Sequence, residues 1–134
     1  MTLPTGEVWY PLLSDALALH EAMMRDLGEA SAPLMAEGRG KLESAIASPE
    51  WAALHGNADL AEQAALLAIR VAQAHAFIDN NKRLAYILAV IFLRENGRPL
   101  AAEDSMMFGR LIEETLGHTK TVADVGRWLR SVLA

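Results

Sequence analysis

Apolar residues along this chain recur at three- and four-residue intervals, the period of helices that bury one face. Leu60, Ala64, Leu67 and Val71 step by four, three and four, which predicts a long helix over about 59–74. From Leu84 to Leu93 the chain is apolar nearly all round. That run predicts a buried helix over about 81–95, at the centre of the domain and stopped by Asn96-Gly97. An earlier helix is expected over about 14–27, with Ser14 as N-cap and Gly28 as its stop. A short helix is expected over about 39–47, ended ahead of Pro49 because the residue before a proline disfavours helical backbone. A helix over about 102–116 and a last one opening at Thr121, with Asp124 three residues on as a capping box, make six. Residues 29–39, which hold Pro33 and Gly38, and residues 49–58 read as loops. The only candidate strands lie around Glu7–Tyr10 and within 49–58. With 24 alanines and almost no alternation of β-branched residues, the expected fold class is all-α.

Length and composition narrow the function. At 134 residues, 52% hydrophobic and 22% charged, the chain is expected to form a single domain over 1–134 with a real core. A net charge of −5 argues against a general nucleic-acid coat. The absence of cysteine excludes a disulfide scaffold, a thiol nucleophile and a cysteine-ligated metal. The first twelve residues have neither a basic start nor a long apolar run, and the longest apolar run is far below the roughly 20 residues a membrane span needs. A soluble, cytoplasmic protein is therefore expected. The charge is uneven. From Gln63 to Arg98 there are five basic residues and two acidic ones, so that stretch is +3 while the remainder is −8.

Two of those five, Lys82 and Arg83, fall in the expected first turn of the apolar helix. A helix N-terminus presents free N–H groups and the positive end of the macrodipole, so it attracts anions. An Arg can fork two phosphate oxygens and a Lys adds a point charge. Asn80 and Asn81 suit a tight turn, since Asn tolerates positive φ. Just upstream, Asp79 could hold Mg²⁺ bridging phosphates, because that ion takes one or two carboxylates plus phosphate oxygens. His75 could accept a proton from an incoming hydroxyl, the work histidine commonly does near neutral pH. Phe77 is expected to point the other way and pin the loop to the core. Singly, these residues read as a structural histidine, a capping turn and a solvated basic surface. Together, within nine residues, they read as a phosphoryl or nucleotidyl transfer site.

The segment His-Ala-Phe-Ile-Asp-Asn-Asn-Lys-Arg at 75–83 resembles the Fic/Doc signature, His-x-Phe-x-(Asp/Glu)-(Gly or variant)-Asn-(Gly/Lys)-Arg. Leu19-His20-Glu21, LESAIASP at 42–49, IFLRENGRPL at 91–100 and TVADVGRWLR at 121–130 resemble the Doc (death-on-curing) branch. The resemblance implies a compact all-helical Fic fold of about six helices, with a short β-hairpin flap at 49–58 docking the target beside the site. It implies His75 as the base, Asp79 as the Mg²⁺ carboxylate, and Asn80, Asn81, Lys82 and Arg83 as the nucleotide- and phosphate-binding residues, with Asn81 helping to form the anion hole. Adenylylating relatives usually carry Gly at position 82 and a second Arg three residues after the first. Lys82 and Tyr86 stand there, as in Doc. The implied function is a toxin kinase that moves the γ-phosphate of ATP to a Ser or Thr of a translation factor, elongation factor Tu in the family. Its cognate antitoxin would be of the Phd type. The chain departs from the family pattern at Asn80, Leu84 and Glu29, and no autoinhibitory segment of the family's form is present. Protein adenylyl transfer and a catalytically silent interaction module are the alternative readings. Trp9, Trp51 and Trp128 are candidates for partner contact.

Overall fold

The structure, a computed structural model, describes residues 7–29 and 34–133. Part of the expected 29–39 loop, including Pro33, lies outside the described residues. The fold is all-α. Six helices follow one another as α1 (Leu13–Asp26), α2 (Gly38–Gly56), α3 (Leu60–Ala74), α4 (Asn81–Glu95), α5 (Ser105–Leu116) and α6 (Val122–Val132), with a 3₁₀ turn at Ala102–Asp104 leading into α5. No described helix is long and apolar enough to cross a membrane.

Local chemistry explains most helix boundaries. Asp59 caps α3 by accepting the Glu62 N–H at 2.8 Å. At α6, Thr121 accepts the Asp124 N–H at 3.1 Å while Asp124 accepts the Thr121 N–H at 2.9 Å, the reciprocal pair expected from sequence. For α1 the expected cap is off by two residues. Leu12 is the N-cap, and its N–H donates to Asp15 at 2.7 Å, so Ser14 already lies inside the helix. Gly28, at φ 72°, closes the other end.

The largest departure is α2, which runs nine residues past its expected end, straight through Pro49. A proline in a helix removes the N–H that would bond to the carbonyl four residues back. Here that carbonyl belongs to Ala45, and the Ser48 hydroxyl donates to it at 2.7 Å. The acceptor stranded by Pro49 is thus satisfied by its neighbour, and the buried proline ring adds to the core-facing side. The β-hairpin flap expected at 49–58 is therefore a helix as far as Gly56, and Trp51 on it is 66% exposed, with its ring tilted 39° against that of His55. Among the described residues the one β-type pairing is an isolated antiparallel bridge between Leu34 and Phe77. Residues 7–10 form no strand either. The Trp9 N–H and carbonyl pair instead with the carboxamide of Asn96, at 2.8 and 3.0 Å, which ties the amino-terminal segment to the end of α4.

The hub is α3, not α4 as its apolar run suggested. α3 packs on α2, α4, α5 and α6, whereas α4 packs on α1, α3 and α5. Buried Ala61, Ala64, Ala65, Ala68 and Ala72 make α3 narrow enough for neighbours to approach on several sides, and Leu67, Ile69 and Val71 fill the gaps. α4 buries Leu84, Leu88 and Phe92 against this hub and turns Tyr86, Ile87, Val90 and Ile91 to half-buried positions. The connection from α3 to α4, residues 75–80, therefore leaves the most tightly packed helix of the molecule and returns into its neighbour. A loop anchored at both ends in this way is held rigidly.

Candidate active site

His75 ends α3 in the left-handed region, at φ 45° and ψ 46°. Such backbone costs a non-glycine residue on the order of 1 kcal/mol and persists only where the surroundings enforce it. Its effect is to break the helix abruptly and leave the imidazole exposed while Ala76 and Phe77 turn into the core. Phe77 is 5% exposed and lies flat on the buried ring of His20 from α1, with centroids 3.6 Å apart and planes 5° from parallel. The Asp79 carbonyl accepts from His20 Nε2 at 2.9 Å, which places the His20 proton on that nitrogen. Asn80 Nδ2 donates to Met24 Sδ at 3.1 Å. One face of α1 thus holds the loop at three successive points. From the other side, the Met35 N–H donates to the Ala76 carbonyl at 2.8 Å.

The Asn81 carboxamide clasps the same loop. Its Oδ1 accepts the Phe77 N–H at 3.1 Å and its Nδ2 donates to the Phe77 carbonyl at 2.7 Å. The Asn81 carboxamide is therefore committed to the protein at both of its groups, which leaves the Asn81 main-chain N–H to face an anion. Asn80 takes φ 64° and ψ 25° as the N-cap of α4, and its own N–H goes to Asp79 Oδ1 at 2.8 Å. No side chain caps α4, so the amides of Asn81, Lys82 and Arg83 have no intrahelical acceptor.

These groups open onto a groove of about 840 Å³. His75, Asp79, Asn80, Asn81, Lys82 and Arg83 all line it, so every residue singled out by sequence is brought to one place. Tyr86, next along α4, also lines it and leans on Phe108 with ring centroids 5.6 Å apart. The opposite wall is α5, which sequence reasoning did not connect to the site. Met106, Gly109, Arg110 and Glu113 fall at spacings of three, four and seven, the face of one helix. Lys82 Nζ reaches Glu113 across the groove at 3.5 Å, an exposed pair that contributes little to stability. His20 and Gly38 were missed as well. His20 shares its spacing with buried Ala16 and Met23 and reads as plain core. Gly38 lies so close to the loop that a Cβ there would collide with the Ala76 carbonyl oxygen.

His75 belongs to a second groove too, of about 780 Å³, between the start of α2 and the end of α3. Its lining includes the polar side chains of Lys41, Ser44, Ser48, Arg70 and Gln73. The imidazole stands on the ridge between the two. Residues 49–58, expected to dock a target, line neither groove; the segment beside the loop is 34–37. Among the described residues no group of three or more His, Asp and Glu side chains gathers as a metal cage. The lone carboxylate of Asp79 fits an ion such as Mg²⁺ that shares its coordination with phosphate oxygens and water.

The fold and site together define a helical domain in which a histidine, a carboxylate and the basic, uncapped end of a buried helix face one groove. The chain belongs to the Fic/DOC family, which matches residues 10–93, well over half its length. That span takes in the whole 75–83 loop and ends before α5. The family in general transfers nucleotide or phosphate groups to hydroxyls. No curated protein matches the chain.

Proposed function

We propose that this chain is a Doc-like protein kinase that transfers the γ-phosphate of ATP to a Ser or Thr hydroxyl of a translation factor, elongation factor Tu being the expected target. One observation carries the reading: His75, Asp79 and the uncapped first turn of α4 share a groove, with His75 also reaching the second groove behind it. ATP lies along the first groove with its γ-phosphate at the amides of residues 81–83. The target segment enters from the second. The His75 imidazole takes the hydroxyl proton as the oxygen bonds to the γ-phosphorus. The bond from that phosphorus to the β-bridging oxygen breaks, and ADP leaves with the electron pair. Arg83 steadies the charge on the transferred group, and Lys82 adds a second cation. Mg²⁺ held by Asp79 would supply charge neutralisation on the phosphate oxygens.

Lys82 supports phosphate rather than adenylyl transfer. A side chain occupies the position where glycine would let the nucleotide approach the backbone, and Tyr86 stands where a second arginine of α4 would. An apolar groove of about 350 Å³ lined by Trp9, Pro11, Leu19, Leu88 and Ile91 supports the toxin role, because it could seat the amphipathic segment of a Phd-type antitoxin. The test is incubation of the translation factor with Mg²⁺ and ATP labelled at the γ- or the α-phosphate. Only the γ label should reach the factor, and His75→Ala should reduce transfer at least about 100-fold, the usual worth of a general base. Transfer of the α label would replace the kinase reading with adenylyl transfer.

A further inference from the structure

One wall of the groove, α5, takes no part in the transfer step and lies outside the span matched to the family. Arg110 lies on it, exposed and lining the groove opposite Arg83. Among the described residues neither Arg83 nor Arg110 has a carboxylate within 4.0 Å, whereas Lys82 is drawn to Glu113, three residues along the same face of α5. An exposed arginine that has no ion pair and shares a groove with other cations is free to take an anion that enters. Gly109 beside it is a helix-weakening residue on an open helix face. A Cβ there would meet nothing within 4 Å, so packing does not demand glycine. Its effect is to keep the groove wide next to Arg110.

We propose that Arg110 is a second phosphate-binding arginine, supplied by α5 in place of the one that Tyr86 displaces from α4, and that it binds the phosphates of the leaving group. The inference rests on the groove being the nucleotide site. It holds for either direction of transfer. If the γ-phosphate moves, Arg110 holds the two phosphates of ADP; if AMP moves, it holds pyrophosphate. In each case the charge that grows on the departing oxygen as the bond to phosphorus breaks meets a guanidinium that the family motif does not provide.

The experiment is calorimetric titration of the full chain with ATP and with adenosine in the presence of Mg²⁺, for the wild type, Arg110→Gln, Arg110→Lys and Arg83→Gln. Arg110→Gln should weaken ATP binding about tenfold, the effect of losing one charge-assisted contact, and leave adenosine binding unchanged, with Arg110→Lys in between. Circular dichroism should be the same for all the variants at this exposed position. If Arg110→Gln binds ATP as the wild type does while Arg83→Gln does not, the role given to Arg110 is wrong and the nucleotide site stands. If the wild type binds no ATP, both fall.

Discussion

His75 and Asn80 hold left-handed backbone on either side of a four-residue loop, Asn80 with a residue type that tolerates it and His75 with one that must be held there by its neighbours. The motif residues were legible from sequence because their types announce their chemistry: an imidazole, a carboxylate and two cations beside a helix start. What sequence did not show is the division of labour among them. Asn81 resembles an anion ligand in the motif, yet its carboxamide is used on both backbone groups of Phe77. Gly38 carried no signal, since a glycine in a loop has many ordinary explanations, and Leu19-His20-Glu21 was legible as a family resemblance but did not show that His20 supports the loop. Gly38 makes the sharpest prediction at this scale. Gly38→Ala sets a methyl group against the Ala76 carbonyl, one residue from His75. It should lower stability by about 1–3 kcal/mol in chemical denaturation, as overpacking does, and impair transfer beyond what the stability loss explains. Unchanged stability and activity would show that the loop can move away freely.

Element by element, periodicity located the six helices, and the reasons it failed at α2 are specific. The rule that a proline ends a helix assumes that the stranded carbonyl finds no donor. Ser48 supplies one from the adjacent position, so Ser-Pro here continues a helix where it usually interrupts one. A double-mutant cycle tests this. Ser48→Ala alone should cost about 1–3 kcal/mol, because it leaves the carbonyl of buried Ala45 without a donor. In a Pro49→Ala background the cost should vanish, because the restored amide at position 49 bonds to Ala45. Equal costs in both backgrounds would mean that Ser48 acts in some other way. Position within the bundle was also misread. An all-apolar run marks burial, but the hub is the alanine-rich helix, since small side chains admit more neighbours than large ones.

For the molecule as a whole, the matched span and the site do not coincide. α6 returns to the start of α3, where Arg130 bonds Asp59 at 2.7 Å and Glu62 at 2.9 Å. The Arg130 hydrogen bond holds the Asp59 carboxyl below its ordinary range. A lowered carboxyl stabilises the fold above its unfolded pKa and loses that contribution as pH falls through the folded value. The melting temperature of Arg130→Ala should therefore lie below that of the wild type at neutral pH, and the gap should close below about pH 4. A gap that persists in acid would assign Arg130 a packing role instead. The overall charge of −5 describes this scaffold, whereas the groove gathers Lys82, Arg83 and Arg110 against Asp79 and Glu113. Sequence could see the first two cations because they adjoin in the chain. Arg110 was invisible because only folding brings α5 to the end of α4. The most direct measurement of the central claim is the intact mass of the translation factor after reaction with Mg²⁺-ATP and this chain. The account predicts a gain of one phosphate, at a Ser or Thr, and none with His75→Ala. An unchanged mass with the wild-type chain, or a gain that His75→Ala leaves intact, would contradict it.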